Sequence, residues 1–530
     1  MSNVSIYVDW WFIMSVLKCS NVSFSFGNRT ILEDASFVMQ KGEHIGLIGL
    51  NGEGKTTFIK MITGELTPDN GKIEWAKRIT TGYLDQYTKL TPGKTIREVL
   101  RDAFSYMYDL EKEMNELYEK MCDCTEEEMN QYLEDTGEIQ SELEASGFYT
   151  IDSTIEDVAN GLGLGDIGLD KDVSSLSGGQ RSKVLLTKLI LQKPMILILD
   201  EPTNFLDEEQ VNWLKDYLVN YENAFLLVSH DIAFLNSVIN VIYHMEDGTL
   251  TRYTGNYDQY MQMYEIERRN QNIAYEKQQK EIKDLQEFIN KNKARVATTD
   301  LAKSRQRRLD KMEIIDKAKE QIKPTFKFKE CGASGKFVFS CEDLVIGYDE
   351  PLSKPITLTI ERGERILFKG ANGIGKSTLL KTLLNEIKPL SGTCKMDYNI
   401  HYGYFAQEES YSKNTALEEV WNMYPSMDNK EVRGALAACG LTKDKIESLM
   451  MVLSGGEAAK VRLCKIMLQE CNTLILDEPT NHLDVLAKES LKEAIKAFKG
   501  TVILVCHENE FYTDLVTRIE DVSKWTLKIL

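Results

Sequence analysis

Gly49-Leu-Asn-Gly-Glu-Gly-Lys-Thr56 and Gly370-Ala-Asn-Gly-Ile-Gly-Lys-Ser377 follow one pattern, G-x-x-x-x-G-K-[ST]. Each copy comes directly after a short apolar run, at residues 45–48 and 366–368, and is followed by residues with the apolar spacing of a helix. In a loop between strand and helix, backbone N–H groups turn toward a phosphate at the positive end of the helix, and the lysine reaches the terminal phosphates. The sequence therefore predicts two phosphate-binding loops.

The two loops open two copies of one longer pattern. A glutamine follows the loop lysine after 31 residues in both copies, from Lys55 to Gln86 and from Lys376 to Gln407. Each copy continues with Leu-Ser-Gly-Gly, and an aspartate lies 23 residues after that serine. A histidine follows the aspartate after 30 residues. Repetition at fixed spacing indicates a duplicated domain, and a chain of 530 residues has room for about three domains.

Both copies carry an acidic pair, Asp200-Glu201 and Asp477-Glu478, at the end of an apolar run typical of a buried strand. Ligands of open α/β sheets bind outside the carboxyl ends of such strands. A single Asp-Glu pair is more often a solvated turn. The recurrence of the pair after the same kind of strand favours a role in chemistry.

The order of these motifs resembles that of ATP-binding cassette proteins over nearly the whole chain. The resemblance rests on the glycine-rich loop, the glutamine, Leu-Ser-Gly-Gly, the strand that ends in Asp-Glu-Pro-Thr-Asn, and the histidine. It implies an α/β fold with two P-loop cassette domains, arranged head to tail with two ATP molecules between them. Each ATP would contact the loop of one cassette and the Leu-Ser-Gly-Gly segment of the other.

The resemblance implies a role for each repeated residue, with ATP and Mg2+ as cofactors. The residues that would bind ATP are Gly49, Asn51, Gly52, Gly54, Lys55, Thr56, Thr57, Gly370, Asn372, Gly373, Gly375, Lys376, Ser377, Thr378, Ser177, Gly178, Gly179, Gln180, Ser454, Gly455, Gly456 and Glu457. Those that would hold Mg2+ are Thr56, Ser377, Asp200, Asp477, Gln86 and Gln407. Those that would act in hydrolysis are Glu201 and Glu478 as general bases, Gln86 and Gln407 as sensors of the γ-phosphate, and His230 and His507 as contacts to it. Phe26 and Tyr348 would stack on adenine, with Phe24 as an alternative to Phe26.

The two copies depart from each other at few positions. Phe205 stands in the first copy where the second has His482, and Glu457 stands where the first has Gln180. Neither difference removes a base, a loop lysine or a histidine, so both sites are expected to hydrolyse ATP. Glu457 leaves open whether they are equal.

Two segments lie outside the repeat. The first copy holds 44 extra residues between its glutamine and Leu-Ser-Gly-Gly, at about 99–147. Their apolar spacing predicts an amphipathic helical hairpin, and the residues concerned are Tyr106, Leu110, Met114, Leu117 and Met121. The connector predicts two antiparallel helices, the first ending at about Arg295, with apolar residues Ile282, Leu285, Ile289, Leu309, Met312 and Ile315. The predicted organisation is an N-terminal extension (1–13), a first cassette (14–258) with this arm, a helical linker (259–325) and a second cassette (326–530).

The far end of the linker is basic. Eight lysines and arginines stand against two acidic residues between Lys291 and Lys311, in a chain whose net charge is −19. The overall charge argues against a uniformly basic nucleic-acid binder. The local charge favours an RNA-contacting tip formed by Lys303, Arg305, Arg307 and Arg308. A solvated charged coiled coil is the alternative.

Fused cassettes, an arm in the first and a charged linker between them resemble the ABC-F family. The resemblance implies a cytoplasmic, monomeric ATPase that binds the ribosome near the tRNA exit site and the peptidyl-transferase centre. Its linker tip and arm would meet rRNA and the P-site tRNA. Such a protein would act in translation or protect the ribosome from antibiotics, and no transmembrane partner is expected.

Two other classes stay open. The ATPase subunit of a membrane transporter would share the cassettes but would need neither arm nor linker, and no apolar run in the sequence is long enough for a membrane span. A DNA-repair or chromosome-structuring ATPase would carry a zinc module or much longer coiled coils. The ten cysteines have no zinc-site spacing, and we expect them to be reduced thiols.

Overall fold

The computed structural model describes residues 15–527, apart from 28, 85–89, 124, 293–298, 316, 318–322 and 408–411. The predicted N-terminal extension and Gln86 lie outside the described residues. The chain divides into two compact units, one formed by Met1–Arg252 with Lys323–Leu530 and the other by Tyr253–Ile322. The first unit contains both cassettes and the second is the linker.

The strands of the first cassette are β1 (Ser15–Phe26), β2 (Arg29–Gln40), β3 (His44–Ile48), β4 (Asn70–Trp75), β5 (Thr81–Tyr83), β6 (Ile196–Asp200), β7 (Ala224–Val228), β8 (Val241–Glu246) and β9 (Thr249–Thr254). Among the described residues the main sheet has the order β5-β6-β7-β3-β8-β9, and its strands pair in parallel from β5 to β8. A smaller antiparallel sheet has the order β2-β1-β4. Non-consecutive neighbours in the main sheet require helical crossovers, as in α/β folds.

The helices of the first cassette are α1 (Lys55–Ile62), α2 (Ile96–Arg101), α3 (Ser105–Lys120), α4 (Glu126–Ala145), α5 (Ile151–Gly161), α6 (Gly178–Gln192), α7 (Glu208–Val219) and α8 (Ile232–Val238). The helical arm is the pair α3 and α4. The hydroxyl of Tyr106 donates to Glu142 Oε1 at 2.9 Å, which brings the start of α3 to the end of α4, so the two helices are antiparallel. The prediction that Tyr106 belongs to the apolar stripe is wrong, because the side chain is 62% exposed and its hydroxyl bonds a carboxylate.

The linker consists of α9 (Tyr257–Asn292) and α10 (Thr299–Asp310). With 36 residues α9 is about 54 Å long. The second helix ends earlier than the apolar spacing predicts, because Met312 and Ile315 lie outside it. The Gln278 side chain of α9 satisfies the backbone of this extended segment: its Oε1 accepts from the amide of Ile315 at 2.8 Å and its Nε2 donates to the carbonyl of Glu313 at 2.6 Å.

The strands of the second cassette are β10 (Lys329–Glu330), β11 (Phe337–Val345), β12 (Ile356–Glu361), β13 (Arg365–Lys369), β14 (Ser391–Met396), β15 (Tyr402–Phe405), β16 (Glu470–Cys471), β17 (Thr473–Asp477), β18 (Thr501–Val505) and β19 (Arg518–Asp521). Its helices are α11 (Lys376–Leu383), α12 (Ala416–Trp421), α13 (Asn429–Ala438), α14 (Lys443–Ile446), α15 (Gly455–Leu468), α16 (Val485–Ala497) and α17 (Asn509–Tyr512). In the described part of the chain its main sheet has the order β15-β17-β18-β13-β19, all parallel. This is the order of β5-β6-β7-β3-β8 in the first cassette, whose sheet continues with β9.

In each cassette the site forms at the edge of the main sheet where a buried central strand ends. All five residues of β6 and of β17 are buried, as expected for strands covered by helices on both faces. Each strand ends at the aspartate of its Asp-Glu pair, beside the glycine-rich loop that follows β3 or β13. The predicted fold class is therefore confirmed: two P-loop cassettes, a helical linker and an arm in the first cassette. None of the helices in the described ranges combines the length and apolarity that a membrane crossing requires.

Candidate active sites

The two glycine-rich loops have the same geometry. In the first, the ammonium of Lys55 donates to the carbonyls of Gly49 at 2.8 Å and Leu50 at 3.2 Å. In the second, Lys376 donates to the carbonyl of Gly370 at 2.7 Å. Helix α1 begins directly after Gly54, whose φ of 112° is in a region that side chains rarely adopt, and a Cβ there would lie 2.3 Å from Ile31 Cγ2. The loop therefore wraps around its lysine at the start of a helix, where an anion is stabilised.

The acidic pairs lie against the loops. The hydroxyl of Thr56 donates to Asp200 Oδ2 at 2.9 Å. Asp477 is 1% exposed, and both of its carboxylate oxygens are buried without a hydrogen bond of normal geometry. Burial raises the pKa of Asp477 to about 6, although the nearby Ser377 hydroxyl acts to lower it. Buried carboxylate oxygens beside a hydroxyl are suitable ligands for a divalent cation.

The glutamates of both pairs have left-handed backbone conformations, with φ of 50° at Glu201 and 51° at Glu478. Such conformations are costly for residues other than glycine and cluster at functional sites. In each cassette the histidine lies beside the glutamate. The Nε2–Oε1 distances are 3.5 Å for His230 and Glu201 and 3.4 Å for His507 and Glu478.

Each histidine also meets the asparagine of its own loop. His230 Nε2 lies 3.0 Å from Asn51 Oδ1, and His507 Nε2 lies 3.0 Å from Asn372 Oδ1. Burial, reinforced by Lys55 and Lys488, lowers the pKa of His230 well below its usual range, so this imidazole is neutral at pH 7. A neutral ring has one N–H, which it can give either to the asparagine or to a ligand.

The two glutamates differ in their electrostatics. Burial, together with the Asp200 carboxylate, raises the pKa of Glu201 to about 8, although Lys55 and Lys488 act in the opposite direction. Burial acts in the same sense on Glu478, but His507, Lys376 and Asn481 together outweigh it, and the pKa of Glu478 is lowered. Glu478 Oε2 accepts from Asn481 at 2.7 Å and from Gln407 at 3.0 Å. The two sites are thus built differently around the same residue type.

The Leu-Ser-Gly-Gly segments are helix starts. Ser177 is the N-cap of α6, and its hydroxyl accepts from the amide of Gln180 at 3.4 Å while the Gln180 side chain accepts from the amide of Ser177 at 3.0 Å. Ser454 and Glu457 form the same reciprocal pair at the start of α15. A capping box accepts either glutamate or glutamine at this position, which explains why the copies differ there without a change of fold. Glu457 also pairs with Lys445 at 3.0 Å.

The cassettes meet head to tail, and the two composite sites are not equally close. Asn51 Nδ2 donates to the carbonyl of His482 at 2.8 Å, whereas Asn372 Nδ2 donates to that of Phe205 at 3.4 Å. Gly456 is buried against Asn51, so that a Cβ at Gly456 would lie 2.1 Å from Asn51 Nδ2. Gly179 is exposed, and the nearest atom to its Cβ would be Phe205 of its own cassette at 3.7 Å.

The structure describes most of the other residues that were predicted to contact ATP or Mg2+. Phe26 is 53% exposed and Tyr348 is 60% exposed, whereas Phe24 is in the core at 8%. Gln407 lies at the acidic pair of its cassette, and Gln86 lies outside the described residues. Thr57 and Thr378 follow the loop lysines on α1 and α11 and are half-buried and buried, respectively.

The four residues of the predicted basic tip fall into two pairs with different surroundings. Arg305 lies over the ring of Phe288, with its guanidinium carbon 3.6 Å from the ring centroid, and Arg308 pairs with Glu281 at 2.5 Å. Both therefore tie α10 to α9. Lys303 and Arg307 are exposed on α10, and Lys303 Nζ lies 3.9 Å from Asp300 Oδ1.

A cavity of about 490 Å3 lies between the cassettes, and both sites open onto it. Its lining includes Glu201, His230, Glu478, His507 and Lys488. Lys488, Asn481 and Glu208 also lie near the sites, and the sequence did not predict them. Asn481 belongs to the repeated Asp-Glu-Pro-Thr-Asn motif, which was a usable signal, but Lys488 and Glu208 have no equivalent in the other copy.

Comparisons with known proteins match nearly the whole chain. Family models described as ABC transporter match residues 32–204 and 353–481, and a further one with the same description matches residues 243–328. The chain is 55% identical to the uncharacterized ABC transporter ATP-binding protein YfmM of Bacillus subtilis, over 98% of this chain and 100% of that protein. It is 34% identical to ABC transporter F family member 2 of Arabidopsis thaliana, over 96% of this chain and 77% of that protein. The archaeal protein aABCE1, solved with the stalk protein aP1, shares the fold with a TM-score of 0.56 at 20% identity, over 94% of this chain and 86% of that chain.

Fold, duplicated site and matches together define an ATPase with two ATP-binding cassettes, each of which supplies a phosphate-binding loop and an acidic pair. The chain belongs to the ABC-F family. The predicted family and the predicted ATP hydrolysis are therefore confirmed.

Proposed function

We propose that this ATPase binds the ribosome, reaches toward the tRNA exit site and the peptidyl-transferase centre with its linker, and acts there in translation or in protection against antibiotics. The observation that carries the proposal is the linker, a helix of about 54 Å paired with a second helix that bears exposed basic side chains. The archaeal protein that shares the fold is named a ribosome recycling factor. A transporter subunit would have no use for such a linker.

The residues of each site suit ATP hydrolysis with Mg2+. Lys55 and Lys376 would bind the β- and γ-phosphates, and Asp200 with Thr56 and Asp477 with Ser377 would hold the metal. Bound Mg2+ neutralises charge on the phosphate oxygens. Glu478, and Glu201 in its ionised form, would accept a proton from the attacking water, and the histidines would fix the γ-phosphate through their N–H.

The linker tip and the arm, the two parts of the chain that would contact the ribosome, differ in charge. Lys303 and Arg307 suit phosphate contacts of rRNA or of a P-site tRNA. The arm helix α4 is strongly acidic, with eight glutamates and aspartates in 20 residues, and its outer face suits a basic protein surface better than RNA. Arg305 and Arg308 would support the tip by holding α10 on α9.

The test is co-sedimentation with ribosomes over a salt series. The variant Glu201→Gln/Glu478→Gln, loaded with ATP, should pellet with ribosomes. Adding Lys303→Gln/Arg307→Gln should weaken binding. It should also reduce the slope of log affinity against log salt concentration by up to about 1.4 to 1.8, because each lost phosphate contact removes about 0.7 to 0.9 from that slope. ATPase activity without ribosomes should be unchanged by the tip substitutions.

The matched control replaces Lys388 and Lys395, two exposed lysines of the second cassette, with glutamine. It removes the same charge and should leave affinity and salt slope as they were. A tip variant with an unchanged binding isotherm across the series would mean that the basic residues form only a solvated helix face. A protein that fails to pellet at all would refute the ribosomal partner itself.

A further inference from the structure

One charged side chain of the second cassette crosses to the first beside the active site. The ammonium of Lys488, on the first turn of α16, donates to the backbone carbonyl of His230 at 3.2 Å. The same ammonium pairs with Glu508 Oε1 of its own cassette at 2.8 Å. The Lys488 side chain is 13% exposed, so both contacts are largely shielded from water.

These contacts link the histidine segments of both sites. His230 belongs to the first site, where its own amide donates to Glu201 Oε2 at 3.3 Å. Glu508 directly follows His507, the histidine of the second site. Glu508 therefore anchors the lysine that reaches the His230 segment.

The first cassette has no equivalent of this lysine. Val211 occupies the corresponding position of α7, four residues after the aspartate that caps the helix. The first cassette reaches across with the opposite charge, since Glu208 pairs with Lys369 at 2.8 Å and accepts from Asn509 at 2.7 Å. The two sites therefore receive different cross-cassette contacts.

We propose that Lys488 is a positioning residue, anchored in its own cassette by Glu508, that holds the His230 segment of the first site from across the cassette interface. Turnover at the site of Glu201 depends on this contact, and turnover at the site of Glu478 does not. The inference rests on the proposed roles of Glu201 and Glu478 as bases, and it is independent of the ribosome.

The test uses single-site enzymes and steady-state ATPase assays without ribosomes. Glu478→Gln leaves the site of Glu201 active, and Glu201→Gln leaves the site of Glu478 active. Lys488→Met should lower kcat of the first enzyme about tenfold with KM for ATP unchanged, because a hydrogen bond from a charged donor is lost without loss of an ATP contact. The same change should leave kcat of the second enzyme as it was. Lys488→Arg keeps the charge and should restore most of the loss.

Lys492→Met is the matched control. Lys492 lies one turn further along α16 and lines the same cavity, but it contacts the Glu510 carbonyl and Asp514 of its own cassette. It should change neither single-site enzyme. Equal loss in both enzymes upon Lys488→Met, as a loosened fold would produce, or no loss in either would overturn the proposal. Turnover that persists in the Glu201→Gln/Glu478→Gln variant would instead overturn the roles of the two bases, whatever Lys488 does.

Discussion

Replacing Lys460 with methionine should destabilise the second cassette more than the matching Lys183→Met change destabilises the first. Lys460 Nζ pairs with Asp484 Oδ2 at 2.7 Å, and the two side chains are only 8% and 6% exposed. Asp484 is also the N-cap of α16, where it accepts from the amide of Ala487 at 2.9 Å. Methionine fills similar space without a charge, so the change leaves a buried carboxylate without its counter-ion.

The expected cost follows from this geometry. Removing one partner of a buried ion pair costs about 3 to 5 kcal/mol. In the first cassette the equivalent Lys183 donates to the neutral amide oxygen of Gln210 at 2.6 Å. Burial lowers the pKa of Lys183, so removing its charge also relieves a desolvation cost, and we expect a loss of about 1 to 2 kcal/mol.

Hydrogen exchange read by mass spectrometry separates the two cassettes. Lys460→Met should accelerate exchange in α15 and α16, and Lys183→Met should have a smaller effect in α6 and α7. The melting temperature of the affected cassette should fall by about 6 to 20 °C for Lys460→Met, at roughly 2 to 4 °C per kcal/mol for a unit of this size. A second change, Asp484→Asn, removes the stranded charge and should recover part of the loss. Equal destabilisation by the two lysine changes would refute the reasoning.

Two further predictions concern the sites themselves. Glu201→Gln/Glu478→Gln should keep ATP binding and lose turnover about 10²- to 10⁴-fold in a phosphate-release assay, and near-normal turnover would contradict the role of both carboxylates. Gly456→Ala places a methyl group on the Asn51 amide and should increase the separation of fluorophores on the two cassettes in nucleotide-free protein, whereas Gly179→Ala, with its nearest neighbour at 3.7 Å, should not. Equal separations in the two variants would contradict the difference between the sites.

The repeated residues were predictable because each carries its own local signal. The glycine-rich loops, the acidic pairs and the histidines recur at fixed spacing, and parallel strands bring them to one edge of the sheet. The fold class followed from the resemblance to ATP-binding cassette proteins that these motifs carry. The arm and the first linker helix were predictable from apolar spacing alone.

Residues that are present in only one cassette were not predictable, and neither were hydrogen bonds made by single polar side chains. Lys488 and Glu208 have valines as their counterparts, so comparison of the copies gives no sign of them. The linker helix α10 ends at Asp310 although apolar residues continue, because the Gln278 side chain offers the backbone an alternative to helical bonds. Tyr106 has the right spacing for the arm core, but its hydroxyl finds a carboxylate at the surface.

The cross-cassette contacts of Lys488 and Glu208, which have no counterpart in the other copy, also favour one kind of cassette pair over another. Lys488 reaches the first cassette and Glu208 reaches the second, so the interface is complementary only when a first cassette faces a second one. If two first cassettes from different chains faced each other, Glu208 would meet Ile48 and Ile232 at the positions of Lys369 and Asn509. In that arrangement Glu208 would lose both its ion pair and its hydrogen bond. Pairing within one chain also avoids the entropy of association, because the linker keeps the second cassette at high effective concentration. Both effects favour the intramolecular pair, in which the two unequal sites always occur together.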